Sequence, residues 1–218
     1  MGICHLFVGP SAFGLGSEAY PEGVVIHEPV QRGFVGRLAS TLRKGDVVAI
    51  ADGVFGRVSS VGHREILSLL DDGFEVYGLC SMGAIRACEM DRFGMRGFGK
   101  VYEYFAAAPN DVRDDEVALL HAPMPPYLPI SEPLIHLRSL LNELLECGKI
   151  NGRAASKVGD ELSQMWFGYR TLSCFQRLLE NQGVHAEEAR NVVNQIVGHR
   201  LKQLDLKDFL RSKCWENA

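Results

Sequence analysis

Ser81 is the residue of this sequence that is best placed to do chemistry, because it stands at a predicted strand-to-helix turn. The apolar run Phe74 to Leu79 predicts a buried strand, and residues 84–88 have the spacing of a helix. At such a turn a hydroxyl projects from the sheet edge, and the amide groups of Met82 and Gly83 face the group it attacks. This arrangement suits acyl transfer. A serine that only caps the helix is the alternative interpretation.

Two further groups follow predicted strands that would end at the same edge. Ser11 comes after the first apolar run of the chain, and Asp52 and Gly53 close a third one. Because ligands bind at the carboxyl ends of strands in open α/β sheets, we expect these residues to lie near Ser81. Gly-Pro and Asp-Gly are also ordinary turn sequences, which leaves a purely structural interpretation open.

The two predicted helices around the central strand carry further candidates. The first begins with His63, Arg64 and Glu65, and its N-terminus points at the same rim, so His63 and Arg64 could reach a substrate there. A surface or capping role is the alternative. Arg86 and Glu89 lie one turn apart on the second helix, and we expect them to form an intrahelical pair that braces the site.

The remaining polar segments predict no cofactor. The glycine-rich run Phe93 to Lys100 lacks the spacing of a phosphate loop, and we interpret it as a connecting loop. The acidic residues 111–116 favour a solvated turn over a metal site, since adjacent aspartates rarely converge on one point. We therefore expect neither a bound metal nor a cofactor.

Composition excludes several classes of protein. The 218 residues are 46% hydrophobic and 23% charged, with a formal net charge of −4, which is unlike the basic footprint of a nucleic-acid binder. The sequence has no apolar run of the roughly 20 residues that a membrane span needs, and its start has no signal-peptide pattern. The six cysteines lack C-x-x-C spacing. These features predict a cytoplasmic protein with reduced, mostly buried thiols.

The order of the predicted elements divides the chain into two parts. Short strands alternate with helices up to about residue 130, which predicts an α/β core with a mainly parallel sheet and flanking helices. A proline-rich connector over residues 121–131 leads to a part that reads as helices only. We therefore expect an α/β core over residues 1–130 that carries the active site. Residues 131–218 are expected to form an α-helical region that packs on the core or contacts a partner or a second copy.

Several blocks of the sequence, in this order along the chain, resemble the TfuA-like family. They are Gly9-Pro10-Ser11, Arg32-Gly33, IADGVF at 50–55, HREIL at 63–67, SMGAIRACE at 81–89, Phe93-Gly94-Met95, DDEVA at 114–118 and Ser131-Glu132. The resemblance covers residues 6–138, and the helical tail contributes little to it.

The resemblance implies a partner of YcaO-type enzymes in peptide backbone thioamidation. YcaO proteins activate an amide with ATP, and the TfuA-like protein is understood to hydrolyse a ThiS-like sulfur carrier that ends in a thiocarboxylate. It is also thought to help YcaO hold the precursor peptide. The family's site is described as a serine and a lysine that work as a pair, and Ser81 is then the natural nucleophile.

One position departs from the family pattern. Arg64 stands in the HREIL block where a lysine is expected, and an arginine is always protonated and cannot act as a general base. His63, Lys100 or Lys44 could take that role, or Arg64 could hold the thiocarboxylate in a forked contact. The resemblance therefore leaves two hypotheses: a serine-dependent thiocarboxylate hydrolase, and a non-catalytic subunit that docks YcaO with the carrier or the peptide.

Overall fold

The computed structural model describes residues 2–54 and 59–217, so Phe55 of the resemblance lies outside the described residues. The chain divides into two units. The first comprises Met1–Asp114, Met124–Tyr127 and Lys202–Ala218, and the second comprises Asp115–Pro123 and Leu128–Leu201. This division differs from the expected boundary at residue 130, because the last helix groups with the sheet and not with the other C-terminal helices.

A five-stranded parallel sheet forms the centre of the first unit. Its strands are β1 (Cys4–Phe7), β2 (Val24–His27), β3 (Val47–Ile50), β4 (Glu75–Leu79) and β5 (Arg96–Phe98), in the spatial order β2-β1-β3-β4-β5. All four pairings are parallel. This is a doubly wound order, whose topological switch point lies between β1 and β3. The predicted α/β core is therefore confirmed.

Helices cover both faces of this sheet. They are α1 (Phe34–Ala39), α2 (His63–Asp71), α3 (Met82–Met90), α4 (Lys100–Ala106) and α9 (Leu201–Ser212). Successive side chains of a strand point to opposite faces, so Val48 of β3 packs in one core cluster with Ile66 of α2. Val47 packs in the other cluster with Phe209 of α9. Burial on both faces explains why β3 reads as a continuous apolar run.

The structure corrects one interpretation of the sequence. The glycine-rich run Phe93 to Lys100 was expected to be a connecting loop, but Arg96–Phe98 form strand β5. Tyr77 and Leu79 of β4 stand in register with the two ends of β5. A three-residue edge strand with glycine at its centre has little intrinsic β-propensity, so pairing with β4 stabilises it.

The second unit is helical, as predicted. Its helices are α5 (Leu134–Glu146), α6 (Gly152–Gln164), α7 (Leu172–Asn181) and α8 (Ala186–Asn194). Their apolar stripes share one core that includes Leu140, Val158, Phe175 and Val192. A 3₁₀ turn, Phe167–Tyr169, separates α6 from α7.

A fully buried arginine fixes that turn. The Arg170 guanidinium donates hydrogen bonds to the carbonyls of Leu162 and Met165, at 2.9 and 2.8 Å. It also donates to the Asp115 carbonyl at 2.9 Å and to the Asp115 carboxylate at 2.6 Å. A buried charge is tolerated only when it is paired in this way, so Arg170 ties both flanks of the turn to the segment before α5.

Replacing Arg170 with methionine should destabilise the protein by about 3–5 kcal/mol, because it leaves a carboxylate and three carbonyls without their donor. Urea denaturation measures the change. Arg190→Met is a matched control, since Arg190 is exposed on α8 and its loss should change stability by less than about 0.5 kcal/mol. Equal effects of the two substitutions would contradict a structural role for the buried guanidinium.

Candidate functional site

The carboxyl edge of the sheet brings three of the predicted site residues together. Ser11 follows β1, Asp52 follows β3, and Ser81 follows β4. The Ser81 amide donates to the Ala51 carbonyl at 3.1 Å. The Ser11 hydroxyl donates to the Asp52 carboxylate at 2.8 Å. The predicted clustering thus occurs at the topological switch point, where doubly wound sheets bind ligands.

The turn that carries Ser81 has an unusual backbone. Cys80 adopts a φ of 63°, in the left-handed region that side chains other than glycine rarely occupy, and Ser81 follows with φ −134° and ψ −114°. Ser81 is the N-cap residue of α3, but its side chain makes no capping hydrogen bond, and only 1% of the residue is exposed. Helix capping therefore does not explain why a serine stands here. Strain of this kind clusters at functional sites.

The backbone amides of this turn differ in whether they already donate a hydrogen bond to a backbone carbonyl. The Ser81 amide and the Gly83 amide both donate to the Ala51 carbonyl, the latter at 3.4 Å. Within the described part of the chain, no hydrogen bond engages the Met82 amide in this way. Of the two amides expected to stabilise an oxyanion, Met82 is therefore the better placed, and Gly83 has a structural partner.

Glycines allow α3 to lie directly on the sheet. A Cβ atom at Gly83 would overlap the Ile50 carbonyl, and one at Gly78 would overlap the Gly83 carbonyl and lie 2.8 Å from the Ala87 side chain. The missing side chains bring the first turn of α3 against β3 and β4. This close approach sets the position of Ser81 above the strand ends.

Asp52 organises the loops around the switch point. Its carboxylate accepts the Gly9 and Ser11 amides, at 2.8 and 2.9 Å, in addition to the Ser11 hydroxyl. Gly53 continues the connection through a parallel bridge to Val30, and a Cβ atom there would lie 2.8 Å from the Met82 side chain. Asp52 is buried, so these donors satisfy a charge that water cannot reach.

A buried lysine that the sequence reasoning missed belongs to the same cluster. The Lys202 ammonium lies 3.8 Å from the Asp52 carboxylate, and both side chains are almost completely buried. Lys202 comes from α9, far from the other members in sequence. The sequence did contain an indication of buried charges, because Lys202 and Asp205 share the apolar stripe of α9 with Leu206 and Phe209. Charged residues on a buried stripe need partners.

Cys80 lies inside this cluster but is held in its thiol form. Complete burial raises its pKa well above the usual range, and the carboxylates of Asp205 and Asp52 add to this, while Lys202 and a hydrogen bond with Ser11 oppose it. A thiol is a much weaker nucleophile than a thiolate. Cys80 therefore contributes its strained backbone to the turn and is not a candidate nucleophile.

Asp205 anchors α9 to the same edge of the sheet. Its carboxylate accepts the backbone amides of Lys100 and Val101, both at 2.9 Å, at the start of α4. Burial raises the pKa of Asp205 to about 6, although these two hydrogen bonds oppose the shift. The folded state therefore holds this proton more tightly than an unfolded chain, in which the pKa is about 3.9.

The raised pKa predicts a pH-dependent difference between the wild type and Asp205→Asn. The favourable contribution of protonated Asp205 is fully present below about pH 4 and is lost as the pH rises through the folded pKa. From pH 7 to pH 4.5 the wild type should gain about 2 kcal/mol of unfolding free energy relative to the variant. Urea denaturation of both proteins at the two pH values measures this, and a constant difference would contradict the assignment.

The structure places His63 away from Ser81. The His63 imidazole lies 2.8 Å from the Glu89 carboxylate, which also accepts from Arg86 at 2.5 Å. Glu89 is eight residues beyond Ser81, or about 12 Å along the helix axis. The Arg86 guanidinium also donates to the Val61 carbonyl at 3.1 Å. This network joins α2 to α3, as expected for a bracing pair, and His63 belongs to it.

The other charged candidates lie at separate places in the first unit. The Glu65 carboxylate accepts the Gly62 amide at 3.1 Å and the Gly33 amide at 2.7 Å, so it fixes the start of α2. Arg64 is exposed on the first turn of α2, and Lys100 is exposed at the start of α4. Lys44 precedes β3 and therefore lies at the opposite, amino end of the strands.

No group of three or more histidine, cysteine, aspartate or glutamate side chains is arranged to hold a metal ion in residues 2–54 and 59–217. No helix in that part of the chain combines the length and the apolar character needed to cross a membrane.

Comparisons with known proteins agree with the motif analysis. A family model described as TfuA-like protein matches residues 52–171, which is more than half of the chain and includes Asp52 and the Ser81 turn. A comparison with curated proteins found no match. The matched region ends before α9, so it excludes Lys202.

Proposed function

Because this chain belongs to the TfuA-like family, which is associated with YcaO-type enzymes and thioamidation, we propose that it releases sulfide for a YcaO partner. The proposed substrate is a ThiS-like sulfur carrier protein with a C-terminal thiocarboxylate, and the proposed reaction is its hydrolysis in the cytoplasm. Ser81 is the proposed nucleophile.

The proposed reaction has two balanced steps. The Ser81 oxygen forms a bond to the thiocarboxylate carbon, the C–S bond breaks, and the serine proton leaves with the sulfur as hydrosulfide. Water then cleaves the acyl-serine, which returns the hydroxyl and leaves the carrier with an ordinary carboxylate. The Met82 amide is the proposed donor to the tetrahedral oxyanion, an interaction whose loss typically costs about 10²–10³ in rate.

The observation that carries this proposal is the position of the Ser81 side chain at the turn before α3. Its hydroxyl stands at an N-cap position without capping the helix, directly after a residue with strained backbone geometry. Next to it, Asp52 and Lys202 form a buried charged pair at the sheet edge where ligands bind. A buried charged pair beside a strained turn, at the edge of the sheet where ligands bind, supports a catalytic interpretation over a structural one.

The test is sulfide release by the purified protein. We expect the full chain, mixed with a thiocarboxylated carrier and no YcaO, to produce sulfide and a carrier with a carboxylate terminus, detected by intact-protein mass spectrometry. A carrier that already ends in a carboxylate is the control and should remain unchanged. No release by the protein alone or with its YcaO partner would exclude the hydrolase.

An exposed aromatic turn favours a second candidate function. Trp166 and Tyr169 are 51% and 67% exposed. The Trp166 ring packs against the rings of Phe167 and Tyr169, with ring centroids 5.0 and 5.1 Å apart. Rigid exposed aromatics are typical anchors of protein interfaces. A non-catalytic docking subunit would use such a surface to bind YcaO, the carrier or the precursor peptide. Trp166→Ala should then weaken partner binding, measured with a protein that releases no sulfide on its own.

A further inference from the structure

The proposed chemistry needs a positive charge beside Ser81. A thiocarboxylate is an anion, and the attack of an oxygen nucleophile on its carbon concentrates negative charge on both oxygen and sulfur. Backbone amides supply only partial charges. A cation in a water-excluded site would both bind the anionic end of the carrier and stabilise the transition state.

The four cations of the first unit that the sequence analysis singled out are unsuited to this task by their position. Arg86 lies about one and a half helical turns beyond Ser81. Its guanidinium is held there by the Val61 carbonyl and the Glu89 carboxylate. Arg64 and Lys100 are exposed to solvent, where their charge is screened. Lys44 lies at the other end of the strands. Among the described lysines, Lys202 alone is buried, with 2% exposure.

The first turn of α9 is fixed so that Lys202 lies in the cluster at the carboxyl edge. The Gln203 side chain donates to the Phe13 carbonyl, and Asp205 accepts the two amides at the start of α4. The Lys202 ammonium lies 3.8 Å from Asp52 and within electrostatic range of Cys80, which directly precedes Ser81. These two polar anchors, which follow Lys202 within the first turns of α9, hold its charge near the strained turn.

Burial of this ammonium is costly unless its charge is used or compensated. Asp52 compensates it, but Asp52 already accepts three hydrogen bonds from Gly9 and Ser11 and does not require a lysine for them. An apolar side chain on the buried stripe of α9 would pack without any desolvation cost. A positive charge kept here at that cost indicates a role beyond packing.

We propose that Lys202 is the cationic group of this site and binds the negatively charged thiocarboxylate end of the carrier beside Ser81. This inference rests on the proposed function. It assigns a role to the C-terminal helix, which lies outside the region matched by the family model. Lys202 acts by its charge, with Asp52 holding the ammonium in place.

The test measures binding in the Ser81→Ala background, in which the thiocarboxylate is not consumed. We expect S81A to bind the thiocarboxylated carrier at least about 10-fold more tightly than the same carrier with a C-terminal amide, because a hydrogen bond to a charged group is lost with the amide. S81A/K202M should bind the two carriers equally, and S81A/K202R should keep part of the preference. Calorimetric titration gives both affinities.

Controls separate charge recognition from folding. Lys202→Met alone leaves Asp52 buried without its partner, so S81A/D52N/K202M, which removes both charges, serves as the folded comparison and should also lack the preference. Lys207→Met, on a less buried position of the same helix, should leave the preference intact. A preference that survives in both folded Lys202 variants would overturn the inference.

Turnover distinguishes failure of this inference from failure of the proposed function. In the Ser81 protein, we expect K202M to lower kcat/KM for sulfide release by about 10–100-fold, the effect of losing one charged contact. Sulfide release at the wild-type rate by K202M would reject Lys202 and retain the hydrolase. A Lys202-dependent binding preference in a protein that releases no sulfide would reject the hydrolase and retain the anion site.

Discussion

Replacing Ser81 with alanine should reduce sulfide release from a thiocarboxylated carrier by at least about 10³-fold, because the variant has no oxygen to form the acyl intermediate. The same substitution should change the free energy of unfolding by less than the roughly 1 kcal/mol that the loss of an N-cap costs, since the Ser81 side chain makes no capping hydrogen bond. Single-turnover sulfide assays and urea denaturation measure the two quantities on the same preparation.

This separation of activity from stability is what distinguishes the two interpretations of Ser81. A serine that served as an N-cap would cost about 1 kcal/mol on replacement and would leave turnover unaffected. Ser40→Ala is the matched control, because the exposed Ser40 hydroxyl bonds the Arg37 carbonyl at 3.0 Å in the last turn of α1. Unchanged sulfide release by S81A would remove Ser81 from the chemistry and leave the docking subunit.

The parallel core could be predicted because local patterns determine it. The strands β1, β3 and β4 are short apolar runs bounded by glycine or aspartate, and each is buried on both faces. Strand β5 could not be predicted in the same way. Its residues Arg96–Phe98 have a glycine at the centre and gain their conformation from pairing with β4, which is a long-range contact.

The candidate site could be predicted only in part, for a related reason. Ser11, Asp52 and Ser81 each follow a strand, so the rule that ligands bind at the carboxyl edge groups them from sequence alone. Lys202 reaches this edge from a helix near the C-terminus, on the opposite face of the sheet from α3. No local pattern states which strand a helix will cover. The pattern did contain one indication, a lysine and an aspartate on an apolar stripe.

The contact made by His63 could not be predicted from the sequence. Its place at the start of α2 suggested that it could reach Ser81, since helices that follow parallel strands begin at the carboxyl edge. The side chain of His63 instead contacts Glu89, two turns along α3. The direction of a side chain at a helix start depends on the neighbouring helix, and here α3 carries the carboxylate that holds it.

Replacing Gly83 with alanine should destabilise the protein by about 3 kcal/mol or more and should also lower sulfide release in the fraction that remains folded. The new methyl group would overlap the Ile50 carbonyl, a backbone atom of the central strand that no side-chain rotation can move. Overpacking of a close contact is relieved only by shifting the backbone. Because α3 would move away from β3, the Ser81 turn would move with it.

Gly36→Ala is the matched control, because Gly36 also lies in a helix but nothing stands within 4 Å of where its Cβ would be. That substitution should stabilise the protein by about 0.5–1 kcal/mol, since alanine favours the helix and restricts the unfolded chain. Urea denaturation compares the two variants. A Gly83→Ala protein as stable as the wild type would mean that α3 does not rest directly on β3. The close packing that positions Ser81 above the strand ends would then be absent.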